Sequence, residues 1–171
     1  VGMVKMKLGS VPWSPFQLAK RAFAEKYGKG KLKMAPSFAM SHWFGQALGE
    51  QDTKGKVILL DFWNIHCKPC VKSLPALEQM SSTYKNQGLV VIGCTAGEKD
   101  ETATFLKKNN YTFPVGMCTD QTWLNYAIEA NPTYFLIDRA GRLVWGPEHG
   151  LPTDEEIAAL LKQESGNSIS N

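Results

Sequence analysis

Residues 57–63 read Val-Ile-Leu-Leu-Asp-Phe-Trp, and four positions on stands Cys67-Lys68-Pro69-Cys70. A near-continuous apolar run of strand length needs cover on both faces, which means a sheet with helices packed on each side. Past the cysteines the period changes, because Val71, Leu74, Leu77 and Met80 recur at helical spacing. A buried strand passing into a helix through two cysteines fixes the centre of an α/β domain. It also fixes a chemistry. A helix N-terminus carries partial positive charge and free N–H groups. Both favour a thiolate, the nucleophile of disulfide exchange. Cys70, one helical turn on, is placed to attack Cys67 and close a disulfide, and Lys68 adds positive charge beside the pair.

Half of a zinc site has the same spacing. Zinc would need two further ligands, and Cys94 and Cys118, 24 residues apart, form no second CxxC. His42, His66 and His149 show no H-x3-5-H spacing, although His66 adjoins the motif. The strand–CxxC–helix context therefore favours redox chemistry, with no metal and no cofactor expected.

Composition narrows the field. The chain of 171 residues is long enough for one domain with a sizeable core and appendages. Hydrophobic residues make up 43% and charged residues 20%, ordinary for a soluble globular protein. A net charge of +3 is too mild to imply a nucleic-acid partner. The early basic residues (Lys5, Lys7, Lys20, Arg21, Lys26, Lys29, Lys31, Lys33) read as a solvated face and tail, with an anionic membrane surface as the alternative contact. No run approaches the ~18–20 apolar residues of a membrane-crossing helix. Val1-Gly2-Met3-Val4-Lys5 shows no apolar leader. A signal or anchor is thus not visible here, and a membrane tether stays possible.

Three segments are expected: an N-terminal extension over residues 1–34, a domain over 35–164 and a polar tail over 165–171. In the extension, Ser14-Pro15 reads as an N-cap with proline at the first helical position. Phe16, Ala19, Phe23 and Tyr27 then share a face, and Gly28 and Gly30 end the helix. Ser41–Gly45 reads as strand and turn, and residues 49–55 as a polar loop. The helix after the cysteines contains Pro75, which predicts a kink, and stops at Gly88. Strands are predicted at 89–94, 112–117 (near an edge, because of Pro114) and 133–137. Helices are predicted at 98–109 and 122–128. Residues 138–142 form a hairpin turn before a return strand at 143–145. Thr153-Asp154-Glu155-Glu156 is a capping box opening the last helix. The order β-α-β-α-β-α-β-β-α implies a parallel core with an antiparallel hairpin at its edge.

Asp61 is the anomaly in the apolar strand, since an acid there is costly to bury. One reading sends its side chain to a loop or water. The other makes it a buried carboxyl of raised pKa that exchanges a proton with the second thiol.

Leu60-Asp61-Phe62-Trp63, followed by Cys67-x-Pro69-Cys70, resembles the active-site region of thioredoxins. Pro75 falls where that family has its helix proline, and Asn131-Pro132-Thr133 resembles its cis-proline loop. The helix and strand between Gly93 and Trp123, Ala35-Pro36-x-Phe38 and Gly55-Lys56-Val57 narrow the likeness to the TlpA/ResA-like branch, related to peroxiredoxins. The likeness covers about residues 35–163. It implies a thioredoxin fold, a mixed central sheet flanked by helices with an inserted helix–strand and an N-terminal helical extension. It implies a thiol–disulfide oxidoreductase that reduces or exchanges disulfides through Cys67 and Cys70, with Asp61 as the third catalytic residue. Trp63, His66, Lys68, Pro69, Asn131, Pro132 and Thr133 would then meet the client. The implied partners are disulfide-containing or dithiol client proteins and a thiol reductant or oxidant. The implied location is extracytoplasmic, in a bacterial periplasm or anchored on the outer membrane face.

Several positions depart from the pattern. His66 stands where an aromatic residue is usual, and Lys-Pro replaces Gly-Pro between the cysteines. The lysine that partners the buried aspartate in typical thioredoxins has no counterpart in residues 89–94. Cys94 and Cys118 each end a strand, which leaves open two buried thiols or a second disulfide. Two rival functions stay open. A peroxiredoxin-like peroxidase would carry threonine where Asn64 stands. A non-enzymatic binding, chaperone or metal-carrier module would use Cys67, Cys70 and His66 differently.

Overall fold

A computed structural model describes residues 14–28 and 31–163. The expected polar tail, Gly30 and the side chain of Phe16 lie outside the described residues. The chain order is α1 (Pro15–Tyr27), β1 (Lys33–Met34), β2 (Met40–Phe44), α2 (Glu50–Thr53), β3 (Val57–Trp63), α3 (Lys68–Tyr84), β4 (Leu89–Thr95), α4 (Lys99–Lys108), β5 (Val115–Cys118), α5 (Asp120–Asn125), β6 (Thr133–Ile137), β7 (Arg142–Glu148) and α6 (Asp154–Leu161). Seven strands form one sheet in the order β1-β7-β6-β3-β4-β5-β2. β3, β4 and β5 run parallel, and β6, β7, β1 and β2 join antiparallel to their neighbours. This is the mixed sheet of a thioredoxin fold.

β3 sits at the centre for the reason its sequence gives. All seven of its residues are buried, between β4 on one side and β6 on the other. Alternate side chains divide between two cores. Val57, Leu59 and Trp63 pack with Cys70, Leu74 and Leu77 of α3, with Leu136 and with Ile157 of α6. Ile58, Leu60 and Phe62 pack on the opposite face with Cys94, Tyr126 and Phe135, and Phe23 and Tyr27 of α1 join them. Each such side chain contributes roughly 1.5–3 kcal/mol by burial. A slip of one residue would exchange the two sets, so the register is fixed.

The helix ends follow their caps. Ser14 and Gln17 close a capping box at α1, and Thr153 and Glu156 close one at α6. α3 contains Pro75 within its 17 residues, and the chain leaves it through a 3₁₀ turn at Lys85–Gln87 and Gly88 at φ +99°.

Some expectations shift. The strand expected near an edge is Val115–Cys118, and it lies one strand in from the edge, with β2 pairing along its outer side. Pro114 escapes the ladder by preceding the strand, and its carbonyl accepts from the Gly93 N–H at 2.9 Å. The expected loop at 49–55 contains one helical turn. The helix expected at 122–128 begins two residues earlier, since the Thr119 side chain caps the Thr122 N–H. The return strand runs on to Glu148 through a cis Gly146–Pro147 bond. β1, unforeseen, pairs Lys33 and Met34 with β7, so the first 34 residues supply a strand of the sheet.

Candidate active site

The site forms where β3 ends. Cys67 is the N-cap of α3, with Lys68 and Pro69 in the first turn. Cys67 and Cys70 are joined as a disulfide, their Cα atoms 5.2 Å apart. The two sulfurs are not equivalent. Cys67 is half-buried and accepts the Cys70 backbone N–H at 3.3 Å, whereas Cys70 is fully buried against the α3-side core. A sulfur facing free helix N–H groups is stabilised as a thiolate. The approach to Cys67 is braced by Asn64, whose side chain donates to the Ala96 carbonyl at 2.9 Å and accepts the His66 N–H at 2.8 Å. That amide spans from β3 to the loop after β4 and holds the turn; it was not foreseen as a structural residue, although Asn two residues before a turn N–H is an Asx-turn signal.

His66, Lys68 and Pro69 are exposed around the motif. The His66 ring faces Glu101 of α4, Nε2 to Oε2 3.3 Å, across an open surface where such a pair contributes little. A cleft of about 540 Å³ lies there, lined by Ile65, His66, Asp100, Glu101, Thr104 and Phe105. The larger cavity of about 780 Å³, which includes Gly55, Ile58, Ile137 and Arg139, lies at the other end of β3 and touches neither active-site cysteine.

Beneath the helix sits Asp61. It is 0% exposed, and neither carboxylate oxygen has a hydrogen-bond partner. Burial alone pushes its pKa well up. Its neighbours across the sheet are Gly93 on β4 and Tyr134 on β6. Gly93 answers why no basic side chain faces Asp61 from β4. A Cβ there would stand 3.0 Å from Trp63 Nε1, 3.1 Å from Val115 and 3.2 Å from Phe113. The Trp63 indole therefore fills the space that a longer residue would need. Trp63 is fully buried, so it shapes the core under the site and is not at the surface where a client would land.

Asn131-Pro132-Thr133 enters β6 beside the end of β3, since Phe62 pairs with Thr133. The Asn131–Pro132 bond is cis. The loop is held from three directions. Thr133 donates to the Ala130 carbonyl at 2.6 Å. The Asn131 amide, oriented to donate, reaches the Phe62 carbonyl at 3.1 Å. His149 Nδ1 lies 2.7 Å from the Pro132 carbonyl, which can only accept, so Nδ1 carries the proton. His149, a histidine without metal-ligand spacing in the sequence, is thus a strut of the cis-proline loop. Pro132 and Thr133 are buried and Asn131 is half-buried.

Cys94 and Cys118 do not converge on the motif. They lie in the core on the opposite face of the sheet from Cys70, as buried free thiols. The possible second disulfide is not formed. Cys94 pairs with Gly116, two residues short of Cys118, and a two-residue offset between parallel strands separates Cα atoms by about 8 Å, beyond bridging range. The Cys118 thiol instead donates to Met40 Sδ at 3.5 Å, and burial pushes the Cys94 thiol pKa up, with Cys118 adding to it. Among the described residues, no group of three or more His, Cys, Asp or Glu side chains gathers as a metal site.

Comparisons with known proteins agree with this geometry. The profile of the AhpC/TSA family matches residues 32–145. A thiol-disulfide oxidoreductase ResA of Bacillus thuringiensis (strain Al Hakam) is 33% identical over 150 residues, 86% of each chain. ResA of Bacillus subtilis is 31% identical over 131 residues, 75% of this chain and 73% of that one. A putative thiol:disulfide interchange protein DsbE from Chlorobium tepidum superposes with a TM-score of 0.64 at 28% identity, covering 77% of this chain and 99% of its own. A CxxC disulfide at the head of a helix, a cis-proline loop beside it and these relatives place the chain in the AhpC/TSA family, as a thiol–disulfide oxidoreductase of its ResA-like, thioredoxin-fold branch.

Proposed function

We propose that Cys67 is the attacking thiol and Cys70 the resolving thiol of a client-protein disulfide reductase. The observation that carries this is the asymmetry of the pair: Cys67 can be reached at the helix N-terminus, while Cys70 is buried behind it. The Cys67 thiolate attacks one sulfur of the client disulfide, forming a mixed disulfide and releasing the other client sulfur as a thiolate, which takes a proton from water. Cys70 then loses its proton to the Asp61 carboxylate and attacks Cys67. The Cys67–Cys70 bond forms, the mixed disulfide breaks, and the second client sulfur leaves. The client gains two electrons, and a thiol reductant must restore the protein dithiol.

The cis-proline loop (Asn131, Pro132, Thr133) receives the client backbone, with His66, Lys68 and Pro69 at the rim. Residues 1–34 act as an extension to the domain of residues 35–164. The reaction takes place outside the cytoplasm, by likeness to the relatives' lineage. Among the described residues, no helix is long and apolar enough to cross a membrane. Trapping tests the roles: Cys70→Ser accumulates mixed disulfides with client proteins and Cys67→Ser does not, and equal trapping by both would overturn the assignment. The potential of the pair tests the direction. A value near ~ −270 mV supports a reductase and one near ~ −120 mV an oxidant.

A further inference from the structure

β4, β5 and β2 bring three sulfur side chains together on the face of the sheet away from the Cys67–Cys70 pair. Cys118 stands opposite Met40 across β5 and β2. Cys94 pairs with Gly116, two residues back along β5, and so shares a face with Cys118. The Cys118 thiol donates to Met40 Sδ at 3.5 Å. A side-chain contact also links the Cys118 and Cys94 thiols. Both cysteines are buried, at 8% and 0% exposure, and Met40 packs against the same core. Gly116 makes room for this arrangement, because a Cβ there would stand 2.8 Å from both Cγ and Sδ of Met40. The register thus gathers two thiols and a thioether where a larger residue at position 116 would push the thioether away.

We propose that Cys94, Cys118 and Met40 form a binding site for a single Cu(I) ion, separate from the Cys67–Cys70 pair. Soft thiolate and thioether ligands select Cu(I) over the harder cations that prefer oxygen. Zinc sites of the structural kind take four ligands. Among the described residues, no His, Asp or Glu joins these two cysteines to make a group of three. The spacing that forbids a disulfide suits an ion. A disulfide needs its sulfurs about 2.05 Å apart, whereas two sulfurs each bonded at about 2.3 Å to one ion stand roughly 4 Å apart. As the ion enters, the S–H protons of Cys94 and Cys118 pass to water. Two thiolates and one thioether sulfur then hold the ion, and no electron is exchanged.

Met40 is the outer ligand and the way in. It is half-buried on β2, an outermost strand of the sheet. It also lines the cavity of about 780 Å³, together with Phe38, Trp43, Leu48 and Ile58. An ion arriving through that cavity meets the thioether first and the Cys118 thiol 3.5 Å beyond it. A methionine side chain is unbranched with three rotatable bonds, so its sulfur can follow the ion from the cavity to the thiols. The route passes neither active-site cysteine.

The test uses the full chain with Cys67→Ser and Cys70→Ser, which removes the competing thiols. It is titrated without oxygen into the coloured Cu(I)–bicinchoninate complex, and loss of colour counts the copper withdrawn. One equivalent is expected, with a first shell of sulfur alone by X-ray absorption at the copper edge. Adding Cys94→Ala and Cys118→Ala is expected to abolish the uptake. Met40→Leu conserves volume and keeps the core filled, so it decides the matter even where the alanine variants fail to fold. It is expected to weaken the affinity about tenfold and to lower the sulfur count from three to two. The inference is overturned if the starting variant withdraws no copper, or if the bound copper has nitrogen or oxygen ligands. It is equally overturned if the alanine variant, still folded, withdraws its equivalent, or if Met40→Leu leaves affinity and sulfur count unchanged.

Discussion

Asp61 ties the protein's stability to pH in the direction opposite to that of a salt-bridged carboxylate. Its folded pKa is raised by burial, so the folded state binds the proton more tightly than the unfolded chain does. Stability on this account is full below the unfolded carboxyl pKa of about 3.9 and is lost as pH rises from there through the folded pKa. Asp61→Asn is therefore expected to raise Tm at pH 8 and to gain progressively less as pH falls towards about 4, measured by thermal unfolding across that range. A constant gain at every pH would show that the carboxyl is not destabilised by charge. His149 carries a second expectation at this scale. Its bond to the Pro132 carbonyl is a single exposed-side contact of about 1 kcal/mol. His149→Ala should raise KM for a protein client roughly fivefold with a smaller change in kcat. Asn at the position, which can donate similarly, should recover part of the loss. Cys67, Cys70, Asp61 and Pro132 were legible because each sits in a local pattern. His149 was not, since its contact with Pro132 joins residues 17 positions apart, and a lone histidine carries no signal of its partner.

At the scale of elements, the interior announced itself and the margins did not. β3, α3 and β4 could be read from hydrophobic period alone, because burial on both faces leaves an unbroken apolar run. β1 is two residues long and exposed, and β2 is only half-buried with a register shift between Met40 and His42. Neither has a period long enough to detect. The turn before β7 conceals another element-level device. Arg139 donates to the carbonyls of Gly55 at 3.0 Å, Gln87 at 2.9 Å and Leu161 at 3.0 Å. One guanidinium thus satisfies the ends of the 3₁₀ turn and of α6 and the entry to β3. Arg139→Ala is expected to cost about 2–4 kcal/mol in denaturant unfolding. Arg139→Lys should recover less than half of that, because a point charge cannot serve three divergent acceptors.

For the molecule as a whole, the sheet separates two kinds of sulfur. The reactive pair opens at the end of β3 on the α3 side, and Cys94 and Cys118 lie buried on the other side. Alkylation of the reduced, native protein is expected to label Cys67 fast, Cys70 slowly, and Cys94 and Cys118 only on unfolding, as read by peptide mass spectrometry. Fast labelling of Cys94 would contradict the separation. The fold class was legible at this scale from the alternation of elements, while the partition of the cysteines needed the register of β4 on β5, which spacing along the chain does not reveal.

The short, irregular margins of the sheet have a consequence for a protein whose substrates arrive as extended chains. Any long flat edge would invite such a chain to add as a further strand. Here one outermost strand is two residues long and the other is broken by a shift in register. Non-productive adhesion along the flanks is thereby discouraged, which favours the proposed pairing of a client chain at the cis-proline loop beside the sulfurs. The molecule selects where it is touched as much as what it touches.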